Sequence, residues 1–438
     1  MLRAIAIILL LTNCSFDDKT GIWTGESKTI AKKKQNTNIK PVFEKQGKYL
    51  KNVNLLPQYN LILNKNSINQ KWNQRYLNNA NNFGNINFYN KGEYKKFSKI
   101  SKYSINENIL FSNNYLIYSD VKGNIGAYSL KKNRNLFKYN FYKKKFKKIQ
   151  KKISLVAEAN LIYAADNLGY AYCLDLKKNK LVWAKNFQIP FRSNIKIFNN
   201  FIFLADEKNK IILLNKNNGN KVDELYTQPA KTVSIFENNL AIDKKGNLLL
   251  LNTNGNLYSV NLVNNKVINW VRNLNTEDQV IFNAMPLLVS NEKILITTND
   301  KISLYNTNGI RAWELNINSS VAPVKSGNYI FALNKDNYLM IIEEGNGKII
   351  FSQKLNNIFS EKFDRKYQKK IKEIKHFFVS NKKIFLISEN SYLLEMNVGQ
   401  DIKISSIRKK PFSVASDVLN IKDKLILLSE KKRVFQIY

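Results

Sequence analysis

Cysteine and histidine are almost absent from this chain of 438 residues. It contains two cysteines, Cys14 and Cys173, and one histidine, His376. Two cysteines cannot form a disulfide framework or a thiolate metal cluster. A single imidazole cannot share a metal with a second histidine, and it confines any Ser–His–Asp triad to His376. We therefore predict no metal site, no cofactor and no catalytic residue.

Acidic residues are also scarce, since 33 Asp and Glu stand against 70 Lys and Arg, for a net charge of +37. Such an excess fits a nucleic acid, an anionic lipid or an acidic partner. The basic residues are, however, spread over many turns, and the richness in Asn, Lys and Ile is typical of an AT-rich genome. Because no helix-turn-helix, zinc-finger or RNA-binding signature is present, we predict no nucleic-acid partner.

Long hydrophobic runs are lacking as well. Residues 4–11 (AIAIILLL) follow a basic start and are too few to span a bilayer, which is typical of a signal peptide. The run ends at Cys14, and LTNC resembles a bacterial lipoprotein signal, with Ser15 as in lipoproteins sent to the outer membrane. The resemblance implies that Cys14 is acylated, although Asn13 is bulkier than the usual residue there. A plain signal peptide, or a buried segment with a chance cysteine, is the alternative.

What the chain has in abundance is short β-type segments separated by turn residues. Residues 160–187 (NLIYAADNLGYAYCLDLKKNKLVWAKNF) show a strand, a turn, a second strand, a polar turn and a third strand. The same frame recurs at steps of roughly 35–55 residues, close to the length of a propeller blade. Its first strands start near Tyr115, Leu161, Phe201, Leu248, Ile294, Tyr329, Ile384 and Leu425.

This pattern predicts an all-β fold, an eight-bladed β-propeller of four-stranded antiparallel blades. The last unit, LILLSEKKRVFQIY, lacks its third strand, whereas residues 59–63 and the region of Trp72 precede the first full repeat. We therefore expect an N-terminal strand to complete the C-terminal blade, which removes two exposed sheet edges. The predicted organisation is a signal peptide at 1–13, a polar tether at 14–57 and a propeller at 58–438.

Aromatic and acidic residues recur at fixed positions of the repeat. Trp183, Trp270 and Trp313 follow the turn after the second strand, and Phe137 and Phe351 occupy comparable places. One aromatic residue per blade predicts an anchor that packs one blade on the next. The recurring aspartates at the first turn (Asp166, Asp206 and Asp336) are interpreted as turn-closing side chains and not as catalytic carboxylates.

The repeat resembles that of pyrroloquinoline-quinone-type propellers, which include dehydrogenases and non-enzymatic relatives. The matching residues are Ala164, Ala165, Asp166, Gly169, Leu174, Asp175 and Trp183. With the lipoprotein-like signal, the polar tether and the segment opening at Trp72, the layout resembles the BamB family, lipoprotein subunits of the β-barrel assembly machinery. The resemblance implies a scaffold on the periplasmic face of the outer membrane that binds the periplasmic domains of a BamA-type barrel protein.

The family's partner-binding loop corresponds here to residues 188–193 (QIPFRS). The resemblance therefore implies partner contacts by Ile189, Phe191 and Arg192. An apolar side chain beside an arginine also fits the composition of binding hot spots. The alternative is an ordinary crossover between blades, with Phe191 packed inward.

Two other functions are compatible with such a propeller. A quinone-dependent dehydrogenase would resemble its relatives in an adjacent cysteine pair and an acidic cation site, and we find neither here. A propeller that binds anionic glycan or lipopolysaccharide would use two basic insertions, the lysines at 143–152 and the stretch 361–375, which lies within EKFDRKYQKKIKEIKHFF (361–378). The latter places Phe363, Tyr367 and Ile371 at helical spacing and predicts a short amphipathic helix. Solvated charge runs are the alternative for both.

Overall fold

The computed structural model describes residues 15–16, 23–24, 50–234, 236–264, 266–275, 282–358, 370–399 and 402–438, with Lys145 described by its backbone alone. The chain divides into two units, Met1–Gln46 and Gly47–Tyr438. In the first unit, β1 (Ser15–Phe16) pairs antiparallel with β2 (Trp23–Thr24). Cys14 lies outside the described residues, so its acylation and the boundaries of the signal peptide and tether stay predictions.

The second unit contains eight four-stranded antiparallel blades. Blade 1 has β5–β8 (Leu110–Ser112, Tyr115–Ser119, Ile125–Ser129, Arg134–Tyr139), and blade 2 has β9–β12 (Ile153–Glu158, Leu161–Asp166, Tyr170–Asp175, Lys180–Asn186). Blade 3 has β13–β16 (Lys196–Phe198, Phe201–Ala205, Ile211–Asn215, Lys221–Leu225), and blade 4 has β17–β20 (Asn239–Ile242, Asn247–Leu251, Asn256–Asn261, Ile268–Asn273).

Blades 5 to 7 continue the ring in chain order. They comprise β21–β24 (Leu288–Ser290, Lys293–Thr297, Ile302–Asn306, Arg311–Leu315), β25–β28 (Val324–Ser326, Tyr329–Leu333, Tyr338–Glu343, Ile349–Lys354) and β29–β32 (Ile374–Ser380, Lys383–Ser388, Tyr392–Asn397, Ile404–Lys409). Blade 7 also has β3 (Asn85–Ile86), parallel to β29. The predicted all-β propeller of eight four-stranded blades is confirmed.

Blade 8 closes the ring with strands from both ends of the body. It consists of β33 (Leu419–Ile421), β34 (Lys424–Leu428), β35 (Arg433–Ile437) and β4 (Tyr94–Lys99). β4 pairs antiparallel with β35, so an N-terminal strand completes the C-terminal blade as predicted. The strand lies later in the chain than the sequence suggested, because residues 59–63 form no strand.

The two-residue period of the strands builds the core. In β10, Ile162 and Ala164 pack with blade 1, whereas Tyr163 and Ala165 pack with blade 3. Alternate side chains of a strand point to opposite faces of its sheet, and a blade between two others buries both faces. Each pair of adjacent blades therefore shares its own apolar cluster.

The recurring tryptophans join neighbouring blades. Trp183 on β12 donates its indole N–H to the carbonyl of Lys216 in blade 3 at 2.9 Å, and Trp270 and Trp313 do the same to Thr307 and Glu344 at 3.0 and 2.8 Å. Each ring also covers the glycine of that turn, where a Cβ atom would lie within 2.3–2.8 Å of the indole (Gly219, Gly309 and Gly347). The prediction of an inter-blade anchor is confirmed.

The turn between the second and third strands is closed by an Asx side chain. In blade 2, Asp166 Oδ1 accepts the backbone N–H groups of Leu168 and Tyr170 at 2.8 and 2.9 Å. Asp206 has the same role in blade 3, whereas in blade 6 the residue is Asn334 and not the predicted Asp336. Asp166 and Asp206 therefore close turns, as interpreted from the sequence, whereas Asp336 lies within a turn that Asn334 closes.

The propeller has two faces, defined by its turns. The upper face carries the turns between second and third strands and the crossovers between blades. The lower face carries the turns from first to second and from third to fourth strands. The short helices Lys144–Phe146 and Leu355–Ile358 follow β8 and β28 on the upper face. Among the described residues, no helix is both long enough and apolar enough to span a membrane.

The helix predicted at 361–378 is wrong over its last part. Residues 374–378 belong to β29, where Phe377 and Phe378 are buried. The strand forms there because alternate side chains pack toward blades 6 and 8, which a two-residue period allows and a helix would not. Residues 359–369, with Phe363 and Tyr367, lie outside the described part of the chain.

Candidate functional site

The axis of the propeller is occupied by the chain's own N-terminal segment. Residues 64–88, called the axial segment here, contact the innermost region of all eight blades. The contacts include Asn64 with Ser326, Asn69 with Lys422, Trp72 with Phe111, Asn73 with Ala157, Asn79 with Ile197 and Ile242, Ala80 with Val289, and Asn85 with Val379. The inner strands thereby satisfy backbone groups that would otherwise face an open channel.

A buried lysine fixes this segment to blade 3. Lys196 on β13 is fully buried, and its Nζ donates to Gln74 Oε1 at 3.1 Å, to the Asn78 carbonyl at 2.9 Å and to Asn81 Oδ1 at 2.6 Å. Burial lowers the pKa of Lys196 well below its usual value. Three acceptors from one short stretch make this side chain a clamp on the axial segment.

On the upper face, the axial segment presents Arg75 to three carboxylates from three different crossovers. The guanidinium lies 2.8 Å from Glu237, 3.8 Å from Asp417 and 3.9 Å from Glu107. Burial alone lowers the pKa of Arg75, but the Tyr76 hydroxyl and the carboxylates outweigh it and raise this pKa. Burial raises the pKa of Asp417 to about 6, and Glu107 and Glu237 act in the same direction against Arg75.

Two cavities open beside Arg75 and share Glu107. The first, of about 500 Å³, has aromatic and apolar walls that include Trp72, Tyr76 and Phe377. The second, of about 510 Å³, is lined by Lys151, Lys152 and Arg192 among others. The upper face is therefore concave around an ion-paired centre, and both cavities have apolar and charged side chains in their walls.

The loop predicted to bind a partner is the crossover from blade 2 to blade 3, at the rim of the second cavity. Phe191 forms a β-bridge with Asp206, and equivalent bridges connect Ile105 with Asp120, Ala284 with Thr298, Ser319 with Asn334, and Val414 with Ser429. The backbone of residues 188–193 thus repeats the regular crossover of this propeller.

Within the loop, the three predicted side chains have different environments. Phe191 is only 6% exposed and packs edge-on against Phe187 in the cluster between blades 2 and 3. Arg192 is partly exposed, pairs with Glu207 at 3.6 Å and donates to the Ser234 carbonyl. Ile189 is half-buried beside Gly169. Arg192 and Ile189 are accessible to a partner, whereas Phe191 supports the fold.

The basic insertion between blades 1 and 2 is only partly a charged surface. Lys151 is buried, and its Nζ donates to the carbonyls of Phe146 and Ile149 while lying 5.1 Å from the centre of the Tyr142 ring. Lys143, Lys144 and Lys148 are exposed. Lys151 therefore braces the crossover and does not belong to a surface for anionic ligands.

His376 and Cys173, the rare titratable residues of the sequence, both have pKa values shifted by burial. His376 lies on β29, where burial and the charge of Lys375 lower its pKa to about 4. Cys173 is buried inside blade 2, and burial raises the pKa of its thiol to about 12. In the described part of the chain, no group of three His, Cys, Asp or Glu residues has the geometry to hold a metal ion.

Sequence reasoning missed the centre of this site. Arg75, Glu107, Glu237 and Asp417 come from four separated regions and follow no shared motif. Only the position of Arg75 in the segment 72–86, which contains no repeat, gave a signal, because such a segment must be placed somewhere in a closed ring.

Asp417 provides a test of this electrostatic arrangement. Its pKa of about 6 in the folded protein is above the ordinary value of 3.8, so its stabilising contribution is complete below about pH 4 and is lost as the pH rises through 6. Asp417→Asn should therefore stabilise the protein relative to wild type at pH 7 but not at pH 4, by about 1 kcal/mol because the side chain is a third exposed. Urea unfolding at both pH values measures the difference, and equal effects at both would contradict the assignment.

Comparison with known proteins places this architecture in a family. Residues 119–353, more than half of the chain, match the family of outer membrane protein assembly factor BamB. The crystal structure of BamB from Moraxella catarrhalis superposes with a TM-score of 0.58 at 12% identity, covering 79% of this chain and 100% of that chain. Sqt1 of Saccharomyces cerevisiae gives a TM-score of 0.56 at 10% identity, with coverages of 80% and 99%.

A computationally designed propeller, Ika8, is comparable, with a TM-score of 0.54 at 10% identity and coverages of 78% and 98%. No curated protein matches the sequence significantly. At such identities the structural similarities establish the propeller fold and nothing more. The sequence match over blades 1 to 6 is the finding that separates one family from the many propellers of this shape, and by it the chain belongs to the BamB family.

Proposed function

We propose that this protein is a non-enzymatic scaffold of the outer-membrane β-barrel assembly machinery. In this proposal it binds the periplasmic domains of a BamA-type barrel protein and assists the folding and insertion of outer-membrane proteins. The observation that carries the proposal is the family match over residues 119–353. Acylation of Cys14 would hold the scaffold at the periplasmic face of the outer membrane.

The upper face supports a binding role. Its cavities have apolar and charged walls, which is the composition of surfaces that bind proteins. The glycan-binding alternative loses one of its lysines, because the Lys151 ammonium donates to backbone carbonyls within the protein.

Within this proposal, the partner contacts the rim formed by Ile189 and Arg192. Arg192 is held by Glu207 and Ser234, so its guanidinium is oriented before binding and loses little conformational entropy on complex formation. The residue at the centre of the loop, Phe191, contributes by keeping the crossover in place.

The test is affinity purification from native membranes followed by binding kinetics with the purified partner. Wild type should retain a BamA-type barrel protein. Arg192→Ala should weaken binding by about 2 kcal/mol, mainly by faster dissociation, with an unchanged melting curve. Arg134→Ala is the matched control, because Arg134 is an exposed arginine on the outer strand of blade 1.

Capture of another envelope protein, or equal loss with the Arg134 control, would contradict the proposed contact. Cys14→Ser tests the anchor in the same preparation. The variant should appear in the soluble periplasmic fraction, and a variant that stays with the membrane would contradict acylation at Cys14.

A further inference from the structure

The exposed aliphatic side chains of this propeller are concentrated on its lower face. Among the described residues, eight large apolar side chains are more than half exposed, and five of these belong to the lower face. They are Ile62 (72%), Val263 (66%), Ile68 (62%), Val267 (58%) and Ile310 (57%). Turns that face water usually carry polar residues. The concentration of aliphatic side chains therefore indicates that the lower face contacts an apolar environment.

Three of the five belong to turns between third and fourth strands of adjacent blades. Val263 and Val267 flank the turn of blade 4, and Ile310 is at the tip of the turn of blade 5. The two turns are held in register, because Arg272 Nε donates to the Gly309 carbonyl at 2.8 Å and the Trp270 ring covers Gly309. Ile62 lies at the next blade, because its carbonyl contacts Gly327 in the lower turn of blade 6.

The same face carries an excess of lysine. The described turns of the lower face contain twelve lysines, namely Lys131, Lys132, Lys177, Lys178, Lys216, Lys244, Lys245, Lys266, Lys348, Lys382, Lys403 and Lys422. They contain four acidic residues, and two of these are already paired, Glu292 with Lys245 and the buried Glu344 with Lys293 and Lys325. On the upper face, by contrast, three carboxylates are gathered around Arg75.

The segment 53–59 runs down the outer strand of blade 6 to this face. Val53 bridges to Ser352 on the outer strand of blade 6, and Tyr59 accepts a hydrogen bond from Lys348 in the lower turn of that blade. The apolar and basic residues of the lower face are independent of the proposed acylation, which would add only a high local concentration at the membrane.

We propose that the lower face docks on an anionic phospholipid surface. Lysines next to such a surface are attracted by its negative charge, and aliphatic tips that enter the headgroup region add burial of apolar area. The interaction is weak by itself and becomes effective at the high local concentration that an anchor provides. It leaves the upper face, with its cavities and Arg192, directed away from the lipid and open to a protein partner.

The test uses the full chain with Cys14→Ser, so that no acyl group contributes. Co-sedimentation is measured with vesicles of pure phosphatidylcholine and of an equal mixture with phosphatidylglycerol. Binding should require phosphatidylglycerol and weaken with salt. The triple variant Val263→Asn, Val267→Asn, Ile310→Asn should bind about tenfold more weakly, as expected when three aliphatic tips no longer enter the lipid.

The matched control is Tyr226→Asn, Val233→Asn, because both residues are 71% exposed but lie on the upper face. A second pair compares Lys177→Gln, Lys178→Gln, Lys244→Gln on the lower face with Lys143→Gln, Lys144→Gln, Lys148→Gln on the upper face. Equal losses from both faces, or binding to pure phosphatidylcholine, would overturn the proposal. The partner-capture assay in detergent reports on the scaffold function independently, so failure of one is distinguishable from failure of the other.

Discussion

Replacing Trp183 by alanine is expected to lower the free energy of unfolding by about 3–5 kcal/mol, the range for truncating a buried aromatic side chain. Three contributions are lost together. The ring packs between blades 2 and 3 with Tyr163 at 6.2 Å, it covers Gly219, and its N–H donates to the Lys216 carbonyl. The measurement is chemical denaturation followed by circular dichroism.

Two further variants separate these contributions. Trp183→Phe keeps most of the packing but loses the hydrogen bond, and should cost about 1 kcal/mol from that bond. Val182→Ala, at the exposed neighbour on the same strand, should have an effect within about 0.5 kcal/mol. An unchanged denaturation midpoint for Trp183→Ala would show that the ring does not join the blades.

Periodicity in the sequence predicted the ring and its closure because each blade repeats the same local physics. Alternating apolar residues, Asx turns and one aromatic anchor recur in blade after blade, as at Asp166 and Trp183. The repeat was read as three strands, and the missed strand is the innermost one. Strands such as Leu110–Ser112 and Val324–Ser326 have three residues, too few to show an alternation.

The candidate site was much less predictable. Lys196, Lys151 and Lys325 were indistinguishable in sequence from dozens of solvated lysines, yet all three are buried. Their burial depends on acceptors that tertiary structure brings together, such as Gln74, Asn78 and Asn81 for Lys196. Phe191 illustrates the converse problem, because an aromatic residue in a crossover reads as a binding anchor until its packing against Phe187 is seen.

The N-terminal segment has two structural roles that should make it indispensable. As β4, it supplies the outer strand of blade 8, and without it β35 would present an unpaired edge. As the axial segment, it contributes buried side chains to the clusters at the centre of the ring, Trp72, Ile86 and Phe88. Loss of one buried aromatic side chain costs about 3–5 kcal/mol, so loss of Trp72 and Phe88 costs about 6–10 kcal/mol, which is comparable to the 5–15 kcal/mol by which domains are usually stable.

A chain that begins at residue 100 is therefore expected not to fold, whereas a chain that begins at residue 50 should unfold cooperatively. A third chain beginning at residue 90 retains β4 but lacks the axial segment. It should keep its strand content yet unfold at a lower urea concentration. The reason is that Lys196, Phe111 on blade 1 and the inner strand β29 of blade 7 lose their contacts with the axial segment. Circular dichroism and urea unfolding compare the three chains, and the slope of the transition reports the surface exposed on unfolding.

If the chain from residue 100 showed the same midpoint and slope as the chain from residue 50, the ring would be closed by its other blades alone. Recovery of cooperative unfolding when residues 50–99 are added back as a separate peptide would attribute the defect to these contacts and not to synthesis of the shortened chain.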